Sequence, residues 1–228
     1  MKAYRFLLMD LDDTLLDFKQ AEAHALSDLL HQWQVACDEE VISTYHMYND
    51  RCWKALERGE ITKERLQTKR FEDFLAHYHL PLDPVDAGQR YAKALSRYGI
   101  VFPGALSLVR QLAKRYELYA ITNGIAMVQA GRIVSSGLAP YFKQVFVSEE
   151  AGAAKPEKAY FDYVAQKIPG FVKEEALIIG DSLSSDIQGG IHAGIDTLWY
   201  NPGKATASLK PTYEAASLEE VQRLLTLN

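Results

Sequence analysis

The apolar run Phe6-Leu7-Leu8-Met9 stops abruptly at Asp10, Asp12 and Asp13, and this switch constrains the fold more than any other stretch of the chain. The run is far too short to span a membrane and reads as a strand buried on both faces. Three carboxylates cannot follow it into the core, so they sit just past its C-terminal end. In an open α/β sheet that end is where ligands bind. Asp10 and Asp12 are two apart and would share a side of an extended chain, although the departing loop can turn one from the other.

The texture changes after Leu16. Between Lys19 and Tyr98 strand-like alternation is absent, and apolar residues recur at three-and-four spacing. Ala25, Leu29, Leu30 and Trp33 mark one helix; Val41, Tyr45, Tyr48, Cys52 and Leu56 mark a second, which Gly59-Glu60 ends. Thr62 is placed to cap a third helix carrying Leu66, Phe71, Phe74, Leu75 and Tyr78. Beyond Pro81 and Pro84 a fourth carries Val85, Tyr91, Ala94, Leu95 and Tyr98.

From Phe102 onward strand and helix alternate. Apolar strands at 118–121, 145–147, 176–180 and 197–200 interleave with helices opening near Pro103-Gly104, Ile125, Pro156, Asp186 and Ser217. The stretch from Ser148 to Lys155 reads as a loop. This alternation predicts a parallel sheet with right-handed crossovers. The expected fold is therefore α/β: a Rossmann-like core formed by residues 1–17 and 99–228, with an α-helical domain inserted at 18–98.

Asp10, Thr122 and Asp181 each lie just past one of these strands, so the sheet brings all three to one edge. Lys155 precedes a helix on the same side. Asp10, Asp12, Asp181 and Asp186 in one crevice would repel one another unless a cation sat among them. An all-oxygen set without paired His or Cys favours magnesium over zinc. Thr122, Asn123 and Lys155 add donors and one positive charge, which suits a phosphoryl group. Taken singly, Lys155 would be a solvated lysine and Asp186 a helix N-terminal acid. Asp13 and Thr14 read as turn and structural residues, the serines at 182, 184 and 185 as loop formers, and His192 as a packing or surface residue.

Four segments carry a family resemblance. Asp10-x-Asp12-x-Thr14, Ile121-Thr122-Asn123-Gly124, Ala154-Lys155-Pro156 and Gly180-Asp181-x-x-x-x-Asp186 resemble, in order, the four motifs of the haloacid dehalogenase superfamily, most of whose members are magnesium-dependent phosphatases. The resemblance implies that Asp10 attacks phosphorus and forms an aspartyl-phosphate, and that Asp12 protonates the leaving oxygen and then takes a proton from water. It implies that Thr122, Asn123 and Lys155 hold the phosphoryl group, with Lys155 also offsetting the charge of Asp10. Mg2+ would be held by the Asp10 side chain, the Asp12 backbone carbonyl and Asp181. Asp186 would act from behind them, orienting metal waters or Lys155. Asp12 favours a phosphatase over a dehalogenase, because a departing halide needs no proton.

The helical insert looks like the family's mobile cap, which excludes water and contacts the leaving group. Trp53, Gly59-Glu60-Ile61-Thr62, Arg70-Phe71, Ser148-Glu149-Glu150-Ala151-Gly152 and Pro211-Thr212-Tyr213 look like the bacterial pyrimidine 5'-nucleotidases of the superfamily. That likeness implies nucleoside 5'-monophosphate substrates. Trp53, Tyr48 and Phe71 are candidates to stack on a base, and each equally fits a buried helical stripe. Two other readings share the motifs: a phosphatase for a small sugar or acid phosphate such as phosphoglycolate, and a catalytically silent phosphate-binding protein.

Charge narrows the partners. A formal net charge of −5 disfavours a nucleic acid polymer while leaving room for a single nucleotide. No run suits a membrane span. Cys37 and Cys52, with no signal peptide and no metal-ligand spacing, point to free thiols in the cytoplasm.

Overall fold

The computed structural model describes residues 2–226. They fall into two compact units, one of residues 2–18, 99–126 and 133–226, the other of residues 19–98 and 127–132.

In the first unit six parallel strands form one sheet in the order β3-β2-β1-β4-β5-β6: β1 (Phe6–Met9), β2 (Glu117–Thr122), β3 (Gln144–Val147), β4 (Ala176–Gly180), β5 (Asp196–Tyr200) and β6 (Tyr213–Ala215). The α/β expectation with a Rossmann-like sheet holds. Alternate strand residues serve opposite faces, as a period of two requires. Leu7, Met9, Leu118, Ala120, Leu177 and Ile179 pack with Leu108, Val109 and Leu112 of α5 (Ala105–Leu112) and Val221 and Leu225 of α10 (Leu218–Thr226). Phe6, Leu8, Ile121, Phe146 and Ile178 pack on the other face with Tyr160, Phe161 and Val164 of α8 (Lys158–Lys167) and Ala193 of α9 (Gln188–Ala193). With both faces covered, the strands need continuous apolar sequence, and β1 and β4 have it. The chain runs β1, β2, β3 outward, then crosses back over β1 to β4. The strand order therefore reverses between β1 and β4, the place in such sheets where a crevice opens at the carboxyl ends.

Three local features differ from the sequence reading. The stretch after β3 is not all loop: α7 (Ser148–Ala151) follows it directly, and Gly152 ends it in the left-handed conformation at φ 65°. Pro156 does not open α8, which starts at Lys158 with Glu157 at its cap, because the chain is still turning at residues 155–156. Strand β6 is three residues long and was not expected; so short a segment carries too little alternation to be seen.

The second unit holds α1 from Lys19 onward (Phe18–Gln32), α2 (Glu39–Glu57), α3 (Lys63–His77), α4 (Pro84–Leu95) and the middle of α6 (Ala126–Ser135). Thr62 caps α3 as expected, its side chain accepting from the Arg65 N–H. Tyr45, Phe71, Phe74 and Tyr91 form its aromatic centre, with ring centroids from Tyr45 to the other three at 5.2 to 5.4 Å. Helices α3 and α4 approach so closely that a Cβ at Gly88 would lie 2.7 Å from the Gln67 carbonyl oxygen.

Candidate active site

The site is built at the reversal between β1 and β4, wholly within the first unit. The Asp10 N–H donates to the Ile179 carbonyl at 2.8 Å, so Asp10 continues the β1–β4 pairing by one residue and holds its carboxylate at the sheet's edge. Lys155 Nζ donates to Asp10 Oδ1 and to Asp186 Oδ1, both at 2.6 Å, and to the Ile121 carbonyl at 3.2 Å. Asp186 Oδ2 accepts from the Ser182 N–H at 3.2 Å. Lys155 and Asp186 are buried. Asp186 therefore does not sit in solvent at a helix start but lies under the lysine, within a short π-helical segment, Leu183–Ile187. The space beneath β4 exists because residue 180 is glycine: a Cβ there would stand 2.3 Å from the Asp186 carboxyl carbon.

Asn123 has a role that the sequence does not show. Read from the sequence as a phosphate donor, it also engages Lys155 through its side chain. Its Nδ2 donates to the Lys155 carbonyl and its Oδ1 accepts from the Lys155 N–H, each at 2.9 Å. The amide thus ties the end of β2 to the loop that carries the lysine. Thr122 is buried just before it, and its Oγ1 accepts from the Gly124 N–H at 3.0 Å. Asp12, half-buried in the loop after β1, pairs with Leu16 in a short parallel bridge. Asp13 is exposed with φ 58°, a left-handed turn position that suits an aspartate.

Thr14 proves to be more than a local structural residue. Its Oγ1 lies 3.1 Å from Asp181 Oδ1 and 3.4 Å from Asp10 Oδ2, and accepts from the Asp181 N–H at 3.0 Å. Trp199 on β5 donates its indole N–H to the Asp181 carbonyl at 2.8 Å. Neither bond is visible in the sequence, since each joins residues far apart in the chain.

Carboxylate oxygens of Asp10, Asp181 and Asp186 lie within 4.8 Å of one another. Three acids against one lysine leave a formal charge of −2 (three negative, one positive). Burial pushes the Asp10 carboxyl well above the usual carboxylate range; Asp186 and Asp181 push the same way, and Lys155 pulls back. Burial, then Asp186 and Asp13, push Asp181 up to about 7. Burial alone would lower the Lys155 ammonium, but Asp10 and Asp186 outweigh it and hold the lysine charged. A hard divalent cation among oxygen ligands relieves this excess, and the donor set fits magnesium.

The aromatic candidates lie in the second unit. Phe71 is fully buried between Tyr45 and Tyr91, so it is a core residue and not a platform for a base. Tyr48 and Trp53 are half-buried on α2, with the Tyr48 hydroxyl 3.2 Å from His77 Nδ1.

Comparison with known proteins agrees with the geometry. The family model of haloacid dehalogenase-like hydrolases matches residues 4–194. The chain belongs to this family. It is 44% identical to the pyrimidine 5'-nucleotidase PynA of Streptococcus pneumoniae, over 99% of this chain and 96% of that protein. To the pyrimidine 5'-nucleotidase YjjG of Escherichia coli it is 31% identical, over 96% and 97%. Among solved structures, the magnesium-bound HAD-hydrolase YfnB of Bacillus subtilis superposes with a TM-score of 0.93 at 40% identity, covering 99% of this chain and all of that one. The matched span includes all four sequence motifs. Among the described residues, no helix is long and apolar enough to cross a membrane.

Proposed function

We propose that this haloacid dehalogenase-like hydrolase is a magnesium-dependent phosphomonoesterase whose substrates are nucleoside 5'-monophosphates, pyrimidine ones foremost. The observation that carries the chemistry is the Asp10 carboxylate, held by Lys155 at 2.6 Å within an oxygen cluster of excess negative charge. The likeness to PynA and YjjG supports the nucleotide part.

In this reading a carboxylate oxygen of Asp10 attacks phosphorus, and the bond from phosphorus to the ester oxygen breaks. Asp12 gives its proton to the departing alkoxide. Water then attacks the phosphorus of the aspartyl-phosphate, Asp12 takes the water's proton, and the bond between Asp10 and phosphorus breaks, releasing phosphate. Lys155 stays charged throughout and neutralises the attacked group. Asp186 positions Lys155, and Thr122 with neighbouring backbone N–H groups receives the phosphoryl oxygens. Asn123 contributes by fixing the Lys155 backbone. Asp10 and Asp181, with the Asp12 carbonyl, would hold Mg2+, which when bound offsets charge on the phosphoryl oxygens. Substrate choice belongs to the inserted helical domain, residues 18–98, acting as a cap; its half-buried Trp53 and Tyr48 offer aromatic surface for a base. The free thiols Cys37 and Cys52 suit a cytoplasmic enzyme.

A phosphate-release screen with and without Mg2+ tests this, across nucleoside monophosphates, sugar phosphates and phosphoglycolate. Turnover is expected to need Mg2+ and to be highest on UMP, dUMP or dTMP. Preference for phosphoglycolate or a sugar phosphate would overturn the nucleotidase reading. No turnover on any compound would leave a silent binding protein.

A further inference from the structure

We propose that Trp199 is a positioning residue for the magnesium site, clamping with Thr14 the peptide groups that carry Asp181. The inference rests on the metal reading above and adds to it what sets the affinity. Asp181 is the first residue past β4, where the chain leaves the sheet. Its N–H and C=O therefore lose the strand partners that residues 176–180 enjoy, and both must find others. The N–H donates to Thr14 Oγ1 at 3.0 Å, from the loop after β1. The C=O accepts the Trp199 indole N–H at 2.8 Å, from β5 on the other side. Trp199 stands in register with Gly180 and is 5% exposed, so its ring cannot swing away. Bonded on both flanks, Asp181 has little freedom to rotate its backbone, and its carboxylate direction is set before any cation arrives.

The chemistry of the clamp suits a cation site. An indole is donor-only and neutral. A lysine or arginine in its place would add a positive charge beside the acids and compete with the metal. An amide or hydroxyl could accept as well as donate, and so offer a second geometry. Thr14 closes the other side with a single hydroxyl. That group accepts the Asp181 N–H and has one proton to give, 3.1 Å from Asp181 Oδ1 and 3.4 Å from Asp10 Oδ2. The shorter approach favours Asp181, which ties the side chain to the same hydroxyl as the backbone. Ligands oriented in this way bind metal more tightly because less ordering remains to be done on binding.

The test is Mg2+ titration by isothermal calorimetry on substrate-free enzyme. The wild type is compared with Trp199→Phe, and with Trp33→Phe as a control for losing an indole elsewhere. Trp199→Phe is expected to bind Mg2+ about tenfold to a hundredfold more weakly and to keep kcat at saturating Mg2+ within about twofold, with Trp33→Phe unchanged. Should Trp199→Phe fold poorly, 3-benzothienylalanine at position 199 keeps the bicyclic shape and lacks the N–H, and is expected to show the same loss. Wild-type affinity in both variants at 199, whatever their thermal stability, would overturn the clamp. Absence of Mg2+ binding by the wild type would instead sink the metal reading, and the clamp with it.

Discussion

Two regions of this molecule bury charge, and they do so differently. At the sheet edge, Asp10, Asp181 and Asp186 surround one lysine, and negative charge is in excess. In the helical unit, Glu22 and Arg70, each about 1% exposed, are joined through the buried Asn49. Asn49 Nδ2 donates to Glu22 Oε1 at 2.7 Å, and Arg70 Nη1 donates to Asn49 Oδ1 at 2.9 Å. Within this chain of three residues one negative and one positive charge balance, and the guanidinium also lies over the Tyr91 ring at 4.7 Å; Arg132, also buried in that unit, donates instead to the Tyr98 carbonyl and to Gln129. Buried charge is tolerated where it is paired. The balanced chain needs no added ion and joins α1, α2 and α3. The unbalanced cluster calls for an additional cation or extra protons, and that imbalance is what singles it out as the proposed active site.

The sharpest way to break this contrast is to remove one acid from the unbalanced side. Asp10→Asn is expected to cut turnover by about four orders of magnitude or more, as loss of a nucleophile does. Its melting temperature should not fall by much, since one of three mutually repelling carboxylates is gone. Phosphate release and calorimetry read the two quantities. Turnover near wild type would remove Asp10 from the mechanism; a collapsed fold with full activity in the surviving fraction would make it structural.

Removing one member of the balanced chain should do the reverse. Arg70→Met leaves the buried Asn49 Oδ1 without its donor and Glu22 with only the half-exposed His46 as a charged partner, and is expected to cost about 3 kcal/mol of stability in a urea titration. An unchanged urea midpoint would show that the pair contributes little and that the two regions are not so different.

The smallest effect tests where the balanced chain meets solvent. His46 Nδ1 sits 2.6 Å from Glu22 Oε2, and that hydrogen bond raises the imidazolium pKa above its ordinary value against the opposing effect of burial. A raised folded-state pKa means that the pair's contribution is complete below the unfolded value of about 6.5 and disappears as pH climbs through the folded value. With the His46 ring 47% exposed, the contribution is under about 1 kcal/mol. Wild type should therefore exceed His46→Gln in stability at about pH 5.5 and converge with it by about pH 8.5. A gap that widens with rising pH would reverse the assignment.

Much of this protein was legible because the governing patterns are local. An apolar run that ends in an acid identifies a buried strand and its exit, so Asp10 and Asp181 could be placed at one edge of a sheet without coordinates. Helical spacing and the Thr62 cap located α3 in the same way. Hydrogen-bond partners and burial are a different matter, since they depend on residues far apart in the chain meeting at about 3 Å. Asn123 is a donor by type, yet only the fold turns it onto the Lys155 backbone. Phe71 fits both a core and a binding stripe, and only Tyr45 and Tyr91 closing around it decide for the core. Asp186 is an ordinary helix-start acid until Gly180 leaves room for it beneath the sheet. Trp199 ends an apolar strand like any other aromatic, and its bond to Asp181 exists because β5 lies beside β4 in that register. Residue type and spacing thus determined which groups are available at the edge; tertiary packing decided which of them touch, because contact is set by distances the linear order does not contain.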